Sequence, residues 1–316
     1  MGGSLLVTIA ITLQALSNGL LSDHLSGAES VLLSFLAFGT SALVFGLATR
    51  FRASEDRQPL RGARLRLMLL LNVATAVTFL GFYWSLSVIP APLASAVETG
   101  IGPLALACLL IRRSGGVRRL VEISLGALSL LLALLAGCRM ASNGRVESPA
   151  LLLGGVGIAA VAGCSAAGIA ALSHRLGQLR VSPAQVTAHR FHLTYLLALA
   201  VLVSGSRPAG GWAGSSVAFI AAVAVLGAAL PLYVLQIGMQ RTAPLVVTLM
   251  ASAVPGLTYL MASLVGRQGF DIVTFVLFNG SLGVAFLGPV LVRRLPRTAA
   301  DVTRASGQAE LRFREA

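Results

Sequence analysis

Two ionisable side chains inside long apolar segments are the features of this sequence that could do chemistry. Glu98 follows a run of small and apolar residues, and Arg190 precedes a run rich in leucine and alanine. Charged groups inside a bilayer are costly and usually face a cavity or a partner. We therefore expect Glu98 to bind a proton that is exchanged for substrate. We expect Arg190 to bind a carboxylate or phosphate through its forked guanidinium.

Each of these side chains also has a structural interpretation. Glu98 could make a hydrogen bond to a neighbouring helix, and Arg190 could extend its side chain to the cytoplasmic headgroups. At a rise of 1.5 Å per residue, Glu98 lies about 9 Å below the outer boundary of its segment, and Arg190 about 9 Å from the inner boundary. This count places the two groups at opposite depths and predicts no direct ion pair.

Amide, hydroxyl and aromatic side chains at helical spacing accompany the two charged groups in other segments. The further candidate substrate-binding residues are Gln14, Asn18, Asn72, Phe79, Tyr83, Tyr233, Gln236, Ser252 and Tyr259. Such residues inside a membrane either hold helices together or line a cavity. Their presence in both halves of the chain favours a shared cavity.

His189 and His192 share one helix face, because they are three residues apart. They could relay protons, or they could simply be polar residues near the membrane interface. Without a third ligand they do not predict a metal site. No cofactor is expected either.

The composition decides what kind of elements must position these groups. Of 316 residues, 56% are hydrophobic and 11% are charged, with a mean hydropathy of +0.85. Soluble domains have roughly 25% charged residues. The chain is therefore predicted to be an all-α integral membrane protein rather than a soluble enzyme or a disordered chain.

About ten apolar segments approach the length of about 20 residues that a helix needs to cross a bilayer. They are residues 5–21, 30–51, 65–88, 92–111, 120–137, 151–172, 184–204, 213–236, 243–265 and 272–292.

The net charge of +13 marks orientation in such a protein. All 24 Lys and Arg positions are arginines. Nineteen fall in alternate loops that include both termini, four fall in the other loops, and Arg190 lies within a segment. Because short cytoplasmic loops retain positive charge, this pattern predicts a multi-pass protein of the cell membrane with cytoplasmic N- and C-termini. Nucleic acid is not an expected partner.

A proline pattern occurs in both halves of the chain. Pro92 and Pro103 in the fourth segment are eleven residues apart, as are Pro244 and Pro255 in the ninth. Five segments therefore occur twice, and because five is odd the second copy is inverted, an architecture typical of secondary transporters. Pro103 and Pro255 are candidate hinges, although kinks that serve only packing would explain them equally.

The predicted organisation follows from this repeat. Residues 1–138 form a first five-helix unit, 139–150 an outer linker, 151–294 a second unit, and 295–316 a polar cytoplasmic tail.

Four short stretches of the sequence form a recognisable set. They are Phe-Tyr-Trp-Ser at 82–85, Val-Ser-Pro-Ala at 181–184 before Arg190, Ala-Ser-Ala-Val-Glu at 94–98, and Gly-Pro-Leu-Ala at 102–105. With the ten segments, they resemble the EamA family of the drug/metabolite transporter superfamily. The last two are similar to the fourth span of threonine/homoserine exporters. The resemblance implies ten spans in two inverted halves, and export of a small metabolite, amino acid or drug by a proton-linked or exchange mechanism.

The leading functional hypothesis is thus a secondary transporter, monomeric or homodimeric, whose partners are a small-molecule substrate, the lipid bilayer and protons. An integral membrane enzyme acting on a lipid-linked substrate is the alternative. The sequence disfavours it, because no loop gathers a nucleophile with a base and an orienting group. A phosphate-binding G-x-x-x-x-G-K-[ST] motif is impossible without lysine, so ATP is not the direct energy source.

Overall fold

A computed structural model describes seven stretches of the chain, residues 2–21, 27–51, 59–109, 116–142, 149–205, 214–265 and 269–294. Within them the backbone is helical with short turns and contains no strand. The predicted tail 295–316 lies outside the described residues, as do positions 143–148 of the predicted outer linker.

Thirteen α-helices and one π-helical stretch make up the described fold. They are α1 (Gly3–Leu21), α2 (Gly27–Phe51), α3 (Ala63–Leu86), α4 (Ala91–Leu109), α5 (Gly116–Ser142), α6 (Pro149–Gln178), α7 (Pro183–His189), α8 (His192–Val203), α9 (Gly214–Ala222), the π-helical stretch (Val223–Ala229), α10 (Leu230–Arg241), α11 (Pro244–Ala251), α12 (Val254–Leu264) and α13 (Ile272–Arg294). Each of the ten predicted segments coincides with one helix or with consecutive helices.

Three of the predicted segments are interrupted rather than continuous. The seventh breaks between α7 and α8, and the eighth contains the π-helical stretch. The ninth breaks after α11 at Ser252 and Ala253, and Pro255 lies in the first turn of α12. Proline is well tolerated there because the first amides of a helix lack an intrahelical acceptor. Pro103, in contrast, lies within the continuous helix α4.

Eight helical segments of the described chain are long and apolar enough to cross a membrane, judged by length and composition. They contain between 18 and 30 residues, and α5 adds a shorter apolar stretch, Ile123–Arg139. Large apolar side chains such as Leu69 and Leu153 are more than half exposed on the outside of the bundle. Such an apolar outer surface is expected of helices that are surrounded by lipid. The prediction of an all-α, multi-pass membrane protein is confirmed.

Two segments form the centre of the bundle. The apolar windows of α4 and of α11–α12 are 67% and 78% buried, whereas the other six windows are 28–39% buried. Helix α4 packs against α5, α6, α11 and α12.

Small residues permit the close approach of α6 to α4. A Cβ atom at Gly163 would collide with the backbone carbonyl oxygen of Glu98 and with Ile101, and one at Gly155 would meet Val88 and Ile89 within 3 Å. This seam fixes α4, and therefore Glu98, against α6.

Candidate functional site

A cavity of about 100 Å³ lies inside the bundle, between the central helices and α1, α3, α6 and α10. Its polar lining residues are Gln14, Thr78, Glu98, Thr99, Arg190 and Thr248. The rest of the wall is apolar and includes Ile11, Phe79, Leu235 and Met239. A mostly apolar space with a few convergent polar groups is the usual form of a small-molecule site.

Glu98 contributes the carboxyl group of this central cavity. Its position on α4 is set by the packing of Gly163 against its own backbone. The side chain is half-buried and lines the cavity. No hydrogen bond joins its carboxyl group to another described residue. Glu98 is therefore available to a proton or to a ligand in the cavity.

Arg190 contributes the positive charge and is 1% exposed. Its Nη1 donates a hydrogen bond of 2.6 Å to Oε1 of Gln236, and its Cζ lies 4.9 Å from the ring centroid of Phe191. Ser173 donates a second, longer hydrogen bond of 3.3 Å to the same Gln236 oxygen. Among the described residues, Nε of Arg190 has no acceptor. A buried guanidinium held only by neutral groups can bind an anionic group of a ligand.

Asn72 explains why a helix break at Arg190 is stable. Its Nδ2 donates to the carbonyl oxygen of His189 at 2.6 Å, and its Oδ1 accepts from the backbone amide of Leu193 at 3.3 Å. The side chain thus satisfies backbone groups on both sides of the α7–α8 break, which would otherwise be costly to bury. Asn72 positions the segment that carries Arg190 and is not itself in the wall of the central cavity.

The structure brings Glu98 and Arg190 to the wall of one cavity, although the count of helical rise placed them at opposite depths. A count of helical rise assumes straight helices and ignores the side chains. The break between α7 and α8 and the long arginine side chain both violate that assumption. No ion pair between the two groups occurs in the described part of the chain.

Four of the other predicted residues cluster beside the central cavity. Gln14 and Phe79 line it, and they also line an adjoining space of about 20 Å³ together with Asn18 and Tyr83. Phe38 anchors the aromatic rings, with its centroid 4.7 Å from Phe79 and 6.4 Å from Tyr83.

The remaining predicted residues lie away from the central cavity. Tyr233 stacks on Phe45 with centroids 4.2 Å apart. Ser252 accepts a hydrogen bond of 3.0 Å from Ser129 at the α11–α12 break, and so ties that break to α5. The hydroxyl of buried Tyr259 accepts a hydrogen bond of 2.8 Å from the backbone amide of Asp271. These three side chains hold helices and loops together.

The prolines flank the central cavity. Pro103 follows Gly102, and Pro255 follows Val254; both preceding residues line the cavity wall. Bending at either proline would therefore change the shape of the cavity.

Sequence reasoning did not select Thr78, Thr99 or Met239 as site residues. Thr78 precedes Phe79 and Thr99 follows Glu98 in the chain. Their position next to two predicted site residues is the sequence feature that could have identified them. Met239 is one of many apolar residues in α10, and only the packing of α10 identifies it as a wall residue.

His189 and His192 lie outside the central cavity. Nδ1 of His189 is 3.3 Å from Nε2 of His192, whose Nδ1 is 3.2 Å from the Tyr195 hydroxyl. Within the described ranges, no group of three His, Cys, Asp or Glu side chains could hold a metal ion.

An ion pair connects α5 with the start of α13. Nε of Arg139 lies 3.2 Å from Oδ2 of Asp271, and the backbone amide of Thr274 donates to the same oxygen at 3.0 Å. These interactions, with Arg139 contributing most, hold the pKa of Asp271 well below its usual range. This network joins the end of α5, at the first residue of the predicted outer linker, to the start of α13.

The chain is similar to a known protein in fold but not in sequence. No protein-family model matches the chain, and no curated protein matches its sequence. A solved crystal structure is similar, with a TM-score of 0.66 and 20% sequence identity over 93% of this chain and 99% of the other. At this identity the similarity shows a shared fold. Fold and site together define a multi-pass α-helical membrane protein with a charged internal cavity.

Proposed function

We propose that this protein is a secondary transporter that exports a small metabolite, amino acid or drug by alternating access, with proton coupling or exchange. One observation carries the proposal: a carboxyl group and a guanidinium from different halves of the chain line one cavity among membrane helices. Ionisable groups at such positions are typical of substrate and proton pathways.

The proposed architecture is two inverted five-helix units, residues 1–138 and 151–294. Support comes from contacts between helices that occur in matching pairs when the two halves are exchanged. The contacts of α6 with α3 and α4 correspond to those of α1 with α10 and α12, and α4–α5 corresponds to α12–α13. Helices in equivalent positions also contact each other across the halves, as in α2–α8, α4–α12 and α5–α13. These pairings are those expected from a pseudo-two-fold axis.

In the proposed mechanism, an acidic or zwitterionic substrate places its anionic group on Arg190. Glu98 takes up a proton or binds a cationic group of the substrate, and Phe79 offers an apolar face. Rocking of one unit against the other, with bending at Pro103 and Pro255, would open the cavity to alternate sides of the membrane. We also propose that the protein is related to the EamA family, that it lies in the cell membrane, and that both of its termini are cytoplasmic.

Counterflow into liposomes tests this function. Purified full-length protein is reconstituted and supplied with labelled amino acids, sugars and aromatic drugs, with and without a pH gradient. We expect one class to accumulate in sealed vesicles and to be lost when the vesicles are permeabilised. Failure of every substrate class to exchange would contradict the transporter proposal.

Glu98→Gln tests the coupling role separately, since it removes the ionisable group with little change in size. We expect it to abolish accumulation driven by a pH gradient while the protein still folds. Glu29→Gln is the matched control, because Glu29 lies at the start of α2 and away from the central cavity. If Glu98→Gln responded to a pH gradient like the wild type, Glu98 would have no role in coupling.

A further inference from the structure

A second space of interest lies on the side of the bundle, between α2 and the α7–α8 pair. Two cavities of about 460 Å³ and 440 Å³ adjoin there and share Ala42, Leu43 and His192 in their walls. Together they form one elongated groove. We call it the lateral groove, bounded by residues 35–50 of α2 and residues 185–195 of α7 and α8.

Glycines on α2, which have no side chain, keep the lateral groove open. A Cβ atom at Gly39 or Gly46 would find no other atom within 4 Å, whereas one at Gly163 inside the bundle would collide with α4. Beside the groove, Leu43 is 62% and Leu47 is 43% exposed. The groove therefore opens toward the apolar outer surface of the bundle, where a membrane protein meets lipid.

The polarity of the lateral groove changes along its length. Arg50, Gln185 and His189 line one end, and Phe35 and Leu36 line the other. The wall at this second end also contains Thr40, His192 and Tyr195, but most of its surface is apolar. A charged end followed by a mainly apolar channel matches an amphipathic molecule.

The length of the lateral groove matches one membrane leaflet. Between Phe35 and Arg50, α2 rises about 22 Å at 1.5 Å per residue. One leaflet with its headgroups measures about 20–22 Å, half of the 40–45 Å of a whole bilayer.

We propose that the lateral groove binds one anionic phospholipid, with its phosphate beside Arg50 and an acyl chain between α2 and α8. Charge complementarity favours an anionic headgroup, because Arg50 attracts the phosphate of any phospholipid but repels the cationic amine that a zwitterionic headgroup also carries. The hydrogen-bonded row of His189, His192 and Tyr195 lies deeper than Arg50, where it can contact the polar glycerol region of the lipid. This proposal does not depend on what the central cavity transports.

Native mass spectrometry of the purified full-length protein tests the lipid site. The protein is titrated with phosphatidylglycerol and, in parallel, with phosphatidylcholine. We expect one tightly bound phosphatidylglycerol per chain. Gly46→Leu should remove it, because a Cβ atom at this position meets open space and the longer side chain would occupy the groove. Gly157→Leu is the matched control, since Gly157 also faces open space but lies on α6 outside the groove.

Arg50→Gln provides a second, independent measurement on the exposed end of α2. We expect it to reduce the preference for phosphatidylglycerol over phosphatidylcholine about fivefold, which corresponds to ~1 kcal/mol for one arginine near an anionic surface. Equal lipid binding by Gly46→Leu and the wild type would overturn the proposal, as would an unchanged preference in Arg50→Gln. A lipid-free dimer that Gly46→Leu converts to monomers would overturn it in favour of a second copy of the chain.

Discussion

The hydrogen bond between Arg190 and Gln236 allows a sharp test of how the central cavity is held. Gln236→Leu keeps the approximate volume of the side chain but removes the oxygen that accepts from Nη1 of Arg190 at 2.6 Å. Both residues are buried, with exposures of 1% and 0%. Arg190 would then keep its charge without this acceptor. We expect a folded but clearly less stable protein.

The expected loss follows from the two bonds that the Gln236 oxygen accepts. A hydrogen bond to a charged group contributes about 1.5–3 kcal/mol, and a neutral one about 0.5–1.5 kcal/mol. The bond from Ser173 is long, at 3.3 Å, so we assign it the lower end of the range for a neutral hydrogen bond. Together the loss is about 2–4 kcal/mol of unfolding free energy.

Thermal unfolding in detergent, followed by circular dichroism, measures this loss. The matched control is Gln240→Leu, one turn further along α10, whose Nε2 makes a single 3.3 Å bond to the carbonyl oxygen of Val181. We expect it to shift the melting temperature far less. Gln236→Glu should restore stability by offering Arg190 a carboxylate, yet impair binding of an anionic substrate. Equal melting temperatures for Gln236→Leu and Gln240→Leu would refute the assigned role of Gln236.

Two further predictions concern the packing of α6 and the ion pair between Arg139 and Asp271. Gly163→Ala should destabilise the fold, because the new methyl group would collide with the backbone carbonyl of Glu98, whereas Gly157→Ala meets open space and should be neutral or stabilising in the same melting experiment. Asp271 has a lowered pKa, so its pairing with Arg139 stabilises the protein above the unfolded pKa near 3.9 and is lost as pH falls from there toward the folded pKa. The melting-temperature difference between wild type and Asp271→Asn should therefore shrink between pH 7 and pH 3, and a constant difference would contradict this. Screening by solvent keeps this effect small, since the Arg139 side chain is 44% exposed.

Much of the fold could be predicted because membrane helices are a local property. Length and hydropathy alone located the segments that became α1 to α13. The breaks in the seventh and ninth segments could not be found this way. The α7–α8 break depends on hydrogen bonds from Asn72, which is more than one hundred residues away in the chain.

The candidate site was only partly predictable for the same reason. Glu98 and Arg190 could be selected because an ionisable residue inside an apolar segment is conspicuous by itself. Tyr259 and Tyr233 satisfied the same spacing rule, yet they bond a backbone amide and stack on Phe45. Helical spacing shows which residues share a face, but it does not show what that face contacts.

The sequence by itself determined the class of this protein, its apolar helices and the short set of charged groups inside them. These follow from the free energy of transferring each side chain between water and lipid, which depends on residue type. Only the tertiary structure decided that Glu98 and Arg190 line one cavity, that Gln236 holds the guanidinium, and that a groove remains open beside α2. Those features depend on contacts between helices distant in the chain, and in a bilayer such contacts are selected by close packing and hydrogen bonding rather than by hydrophobicity.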